Sequence, residues 1–230
     1  MPSYAKRELP PCPGNPDDFK LVNFREKYYW RLKRGKRKPA VLNRALQARA
    51  DAMKALKVTI RELRQILADF IQPLPSAYLH QRLFGMLQGS WVANATIDYR
   101  RMEGMEIQAD RGLDNLLTTD YHVKRNGPIL QLIVSASKHA LRPYNQFVTE
   151  FVLQALLVAG TDEQMRSTAE TSVIYDVQQG IEADCIFQFE PPSHEPWLLL
   201  LKVACFEGEC CAMNRKHYAV RVVGVGKPAD

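Results

Sequence analysis

The chain has 230 residues, of which 46% are hydrophobic and 24% charged, and its formal net charge is +6. That composition is ordinary for a globular protein with one or two buried cores. It excludes a membrane-spanning helix, because the longest purely apolar run, Trp197-Leu198-Leu199-Leu200-Leu201, is strand-sized and far short of the ~20 residues a bilayer requires.

The charge is segregated. Residues 1–70 carry 17 basic and 7 acidic side chains, a net of +10, while residues 71–230 carry 14 and 18, a net of −4. A basic arm on a neutral-to-acidic body is the simplest arrangement that produces this asymmetry. The arm opens with Pro2, Pro10, Pro11, Pro13 and Pro16, and at that density the missing N–H donors predict extended backbone over residues 1–23. Its N-terminus lacks an apolar signal core. Together with the odd number of cysteines, five, this leads us to expect a reducing, cytoplasmic location.

Residues 24–38 are the most distinctive stretch. Arg25, Lys27, Arg31, Lys33, Arg34, Lys36, Arg37 and Lys38 stand against one acid, Glu26, with Phe24, Tyr28, Tyr29 and Trp30 beside them. Positive charge interleaved with flat rings suits a phosphate backbone or an anionic surface. Arg31, Lys33, Arg34, Lys36, Arg37 and Lys38 are the expected polyanion contacts, with Tyr29 and Trp30 as stacking partners. The competing reading has Phe24, Tyr28 and Trp30 anchoring the arm to the body while the arginines stay in solvent.

From Ala40 the pattern turns helical. Leu42, Leu46, Arg49, Met53, Leu56, Ile60, Leu63, Leu67 and Phe70 follow alternating steps of four and three, an a/d seam with Arg49 as its one defect. Pro73 and Pro75 end this helix near Gln72, and a second helix starts at Ser76 with Leu79, Leu83, Met86, Leu87 and Trp91 on one side. So short a link predicts a helical hairpin. The exposed seam would bury against the body, a protein partner or a second copy.

After Trp91 the period changes to two. Strand-like runs occur at Thr118–Arg125, Ile129–Ala136, Gln146–Val158, Thr171–Val177, Asp184–Glu190, Trp197–Phe206 and His217–Val225, with Asn126-Gly127 as the sharpest hairpin signal. Residues 144–158 also show weak helical spacing, and their branched and aromatic content favours strand. Seven short strands without helices between them predict an antiparallel sandwich or partly open barrel.

Chemistry-bearing motifs are sparse. Cys185, Cys205, Cys210 and Cys211 lack the paired CxxC spacing of zinc sites, and His80, His122, His139, His194 and His217 are scattered. No P-loop, GxGxxG or GxSxG is present.

The Tyr28–Pro39 segment leads into an Ala/Arg/Lys-rich helix. Leu-His-Gln-Arg-Leu-Phe-Gly-Met-Leu follows at 79–87, then the apolar run Trp197–Phe206, the Gly208-Glu209 turn and Tyr-Ala-Val-Arg-Val-Val at 218–223. In this order the chain resembles a family of uncharacterised short bacterial proteins with a basic N-terminus, a helical segment and an all-β C-terminal domain. The resemblance implies the same two-part architecture and a non-enzymatic role.

These readings predict an α+β chain: an extended basic-aromatic arm over 1–38, a helical hairpin over 39–95, and an antiparallel β-sandwich of Ig-like architecture with about seven strands over 96–230. The expected function is a non-enzymatic interaction or assembly protein that contacts a protein or polyanionic partner through arm and helices, without metal or cofactor. A homo-oligomer through the 42–70 seam is one form of that partnership. The alternatives are non-specific nucleic-acid binding through 24–38 and a hydrolase with its site on the sandwich loops.

Overall fold

In the computed structural model, the described residues are 10–24, 27–33, 43–72, 78–88, 98–108, 110–161, 164–208, 210–211 and 214–226. The chain divides into two compact units, Met1–Gln47 and Ala48–Asp230. It is a mixed α+β chain whose sheets are antiparallel, and no described helix is long and apolar enough to cross a membrane.

In the first unit, extended backbone is organised as a two-stranded hairpin. Strands β1 (Phe19–Phe24) and β2 (Lys27–Leu32) pair in an antiparallel ladder running from Phe19–Leu32 to Phe24–Lys27. The proline-rich segment ends in a single 3-10 turn, Pro16–Asp18, capped by the Asn15 side chain, which accepts the Asp17 N–H at 3.1 Å. Among the described residues 10–18 no α-helix forms. The alternation Phe19-Lys20-Leu21-Val22 was nevertheless sufficient to form a strand opposite the aromatic run.

The helices α1 (Arg44–Phe70), all but its first four residues in the second unit, and α2 (Leu79–Leu87) realise the two helical patterns. Leu42, the intervening prolines and Trp91 lie outside the described residues. The seam divides in two. Leu46 is 49% exposed and Arg49 is exposed, so the seam's defect lies in solvent. Leu56, Ile60, Leu63 and Leu67 are fully buried with Leu79, Leu83 and Leu87 of α2 in the protein's own core, so the seam from Leu56 to Leu67 is not a free face for another copy.

The sheets follow. Strand β3 (Tyr121–Asn126) turns into β4 (Ile129–Val134), and β5 (Glu150–Ala159), β6 (Arg166–Asp176), β7 (Cys185–Phe189), β8 (Trp197–Glu207), the short β9 (Cys210–Cys211) and β10 (Tyr218–Gly226) complete the set. The larger sheet has the order β10-β8-β5-β6 with β9 on β8, and the smaller is β3-β4-β7. Every strand-like run of the sequence is thereby a strand, residues 150–159 included. In the β3–β4 turn the paired ends are Asn126 and Ile129. Gly127 therefore takes the first loop position at φ +61°, where a side chain would be strained.

The unbroken apolar run of β8 is explained by layering. Leu199, Leu201, Val203 and Cys205 face the smaller sheet and meet Leu132, Phe187 and Phe189 there. Leu198 and Leu200 face the other way, with Leu156, Val220 and Val222, against α1 and α2. A strand covered on both faces has no solvent side to encode as polar. One polar residue interrupts it. Lys202 is 6% exposed, and its Nζ donates to Phe70 O at 2.7 Å and Gln72 O at 3.1 Å, at the C-terminal end of α1.

The open sides of the sheet pair are tied by side chains. At one, Arg221 of β10 donates to the Tyr121 hydroxyl of β3 at 2.9 Å. At the other, Glu170 of β6 accepts the Gln188 N–H of β7 at 3.0 Å.

Candidate functional site

The β1–β2 hairpin sorts the basic-aromatic segment into two faces, because side chains alternate across a strand. The register places Phe19 opposite Leu32 and Leu21 opposite Trp30 on one face, and Lys20 opposite Arg31 and Val22 opposite Tyr29 on the other. On the first face Trp30 is tied to the preceding segment. Trp30 is half-buried and its indole N–H donates to Pro10 O at 2.7 Å, while the Lys33 N–H donates to Asp18 O at 2.7 Å.

The second face is the candidate site. Lys20 and Arg31 are exposed, directly opposite each other, and Tyr29 stands beside them at 43% exposure. Like charges facing across a ladder repel, so a face built this way is stabilised by an anion lying over it. Lys33, just past β2, is exposed as well. Three cations and one ring offer contacts to a phosphodiester or carboxylate chain, with a flat surface for stacking.

The structure brings Tyr29, Arg31 and Lys33 together and separates Trp30 from them. Trp30, expected as the second stacking partner, lies half-buried on the opposite face with its N–H bonded to Pro10 O. Tyr28, 40% exposed, belongs to that face too. Arg34, Lys36, Arg37 and Lys38 lie outside the described residues. Lys20 was missed in the sequence. Its signal was the strand alternation of Phe19–Phe24 two residues before a second strand-like run, which fixes a hairpin register and hence Lys20's partner.

Two polar constellations in the second unit were weighed against this face. In the first, Arg221 Nε donates to Glu106 Oε1 at 2.6 Å and Nη1 to Asp114 Oδ1 at 2.6 Å, while Glu106 Oε1 also accepts the Leu113 N–H at 3.0 Å. That N–H opens the one-turn helix α3 (Leu113–Leu116), so the Glu106 carboxylate ties it to β10. Burial works against the Arg221 charge, yet the bonds with Asp114, Tyr121 and Glu106 hold the guanidinium above its usual range. Burial raises the Glu106 carboxyl, opposed by the Leu113 N–H and by Arg221. The guanidinium is thus already engaged by its own neighbours.

The second constellation surrounds His217, which has no exposed surface and whose ring nitrogens make no hydrogen bond; the Glu207 Oε1 lies 3.4 Å from Nδ1. Burial pushes its pKa below the ordinary value, with Glu207 opposing. Above it, Lys216 Nζ donates to the Tyr144 hydroxyl at 2.9 Å, and that bond, with the lysine charge, lowers the phenol's pKa. An encased imidazole has no path to a substrate. Among the described residues, no group of three His, Cys, Asp or Glu side chains is placed to hold a metal ion.

Comparison with known protein families, curated proteins and solved structures found no match for this chain.

Proposed function

We propose that this is a non-enzymatic interaction or assembly protein whose basic hairpin contacts a polyanionic partner. In this reading α1 and α2 form a helical hairpin, the two sheets form an Ig-like sandwich, and the layers together serve as a rigid platform. The observation that carries it is the Lys20–Arg31 pair, directly opposed and exposed beside Tyr29, on a ladder whose other face carries the half-buried Trp30 bonded to Pro10 O. The exposed ring favours nucleic acid as the polyanion, because every base offers a face to stack on and the phosphates supply the charge. Such binding is expected to carry little sequence preference.

The test is fluorescence anisotropy of the full chain with labelled single- and double-stranded oligonucleotides over a salt series. Each phosphate neutralised contributes about 0.7–0.9 to the slope of log K against log salt. Three cations predict a slope of about 2 to 3 in magnitude from the described face alone. Lys20→Glu with Arg31→Glu should abolish binding, and Tyr29→Ala should weaken single-stranded binding more than double-stranded. No binding at low salt, or binding indifferent to these changes, removes the reading.

A further inference from the structure

Residues 71–230 carry a net charge of −4, yet the fold gathers four of their cations at one place. Arg111, Arg142, Arg215 and Lys216 come from three separate segments, and Arg111 ties those segments together. Its Nη2 donates to Asn115 O and to Arg142 O at 2.7 Å each, and its Nη1 to Lys216 O at 3.3 Å. The Tyr144 ring lies among them: the Arg111 guanidinium is 6.0 Å from its centre, and Lys216 Nζ is 4.2 Å from it while donating to the hydroxyl. Arg142, Arg215 and Lys216 are exposed, and an open cleft of about 530 Å³ is lined by Asp110, Asn214, Arg215 and Lys216.

These cations are held differently from Arg221, whose charge is met by the carboxylates of Glu106 and Asp114. Arg111 donates to main-chain carbonyls and Lys216 to a phenol, and such neutral acceptors position a cation without cancelling its charge. Burial, and with it the like charge of Arg142, presses the Arg111 pKa below its usual value. Two carboxylates border the patch. Asp110 lies 3.8 Å from Arg215, and Glu207 accepts from the Asn145 side chain at 3.4 Å and faces the neutral His217. Four cations against two acids leave a surplus of +2 where like charges are crowded, and an anion from outside relieves it.

Phe147 indicates which anion. It is 64% exposed on the loop that carries Arg142 and Tyr144, and the Asn145 side chain fixes its turn by accepting the Phe147 N–H at 3.0 Å. A lone exposed ring beside cations on a tied framework offers one base a face to stack on and its phosphates their counter-charge. A bilayer surface calls instead for several apolar side chains presented together. We propose that this patch is a second contact for single-stranded nucleic acid, in which Arg142, Arg215 and Lys216 hold phosphates and Phe147 stacks on a base. The inference rests on nucleic acid as the partner and adds a surface on the second unit to the one on the hairpin. Arg111 is its positioning residue, because its bonds set the main chain at Arg142 and Lys216.

Anisotropy of the full chain with a labelled single strand, over a salt series, tests this. Arg142→Glu with Arg215→Glu should weaken binding at least about tenfold at low salt and reduce the salt slope by about 1.4. Phe147→Ala should weaken the single strand about tenfold and a duplex little. A thiouridine-substituted strand, irradiated on the wild type, should crosslink to residues 142–147 as read by mass spectrometry. Patch variants that circular dichroism shows folded, yet bind like the wild type, overturn the inference, as does a crosslink map that omits 142–147. If Lys20→Glu with Arg31→Glu still abolishes binding in that case, the hairpin reading survives. Binding lost with the patch changes and untouched by the hairpin changes upholds the patch and removes the hairpin. A patch variant that loses phosphatidylserine vesicles but keeps the single strand assigns the surface to a membrane, and overturns the inference too.

Discussion

Lys202→Met is the change that asks most of the fold. Lys202 lies in the centre of β8, between Gln154 and Val220 on neighbouring strands, with its ammonium at the carboxyl end of α1. That end needs a cation. The helix has no basic residue in its last turn and carries Asp69 there, an acid of the wrong sign for the partial negative charge of the terminal carbonyls. Lys202 supplies the cation from the sheet, and its Nζ also lies 5.4 Å from the centre of the Phe70 ring.

Methionine fills nearly the same volume, so no cavity opens. Two effects of opposite sign remain. Removing the ammonium forfeits two hydrogen bonds to a charged donor, ~1.5–3 kcal/mol each, plus ~0.3–1 kcal/mol at the helix terminus. Against this, burying an ammonium costs several kcal/mol, which the variant avoids. The Gln72 carbonyl is on an exposed residue and can rehydrate, whereas Phe70 is partly buried. The balance is a net loss of ~1–3 kcal/mol, or a fall in Tm of about 4–8 °C for a loss of ~2 kcal/mol.

Urea unfolding followed by far-UV circular dichroism measures the size of that loss. Amide exchange over Leu67–Ile71 locates it, and should accelerate there before the rest of α1. A Lys202→Met protein as stable as wild type, or more so, would mean that desolvation outweighs the contacts. The account of how α1 is terminated would then be wrong.

Other substitutions probe the remaining polar and turn positions. His217 is held neutral by burial, so the unfolded chain takes up a proton that the folded chain refuses. Stability should therefore fall as pH drops below the ordinary histidine value of about 6.5. Urea midpoints between pH 7.5 and 5 should show that slope, and His217→Phe should flatten it; an unchanged slope assigns it elsewhere. Arg221→Met strands the half-buried Glu106 carboxylate and should cost about 2–3 kcal/mol, part of which Glu106→Gln should restore in the double variant. Gly180 sits at φ +73°, and a Cβ there would lie 2.3 Å from Ser137 O. Gly180→Ala should therefore destabilise by about 2–4 kcal/mol in thermal unfolding, against a few tenths at an open site.

The helices and strands of the second unit were legible because their periods are clean. The four-three spacing of Leu56, Ile60, Leu63 and Leu67 and the alternation of Cys185, Phe187 and Phe189 each name an inward face, and the structure buries those residues, Cys185 only in part. The N-terminal hairpin was obscured by its flanks. Prolines on one side and a run of cations on the other drew attention to composition, while the register signal in Phe19–Phe24 was only six residues long. The candidate site was legible in its residue types and not in its geometry, since Trp30 and Arg31 are neighbours in sequence and opposites on a strand.

What the amino-acid sequence determined by itself was local: period, turn chemistry at Gly127, helix termination before Pro73, and the uneven distribution of charge. These depend on contacts within a few residues, so the chain carries them openly. Which seam meets which sheet, why a lysine belongs in the middle of an apolar strand, and which of two aromatic neighbours faces solvent were decided only by tertiary structure. Each depends on a partner far away in sequence: α1's carbonyls for Lys202, Pro10 for Trp30, Lys20 for Arg31. A residue's own identity does not specify where such a partner comes from.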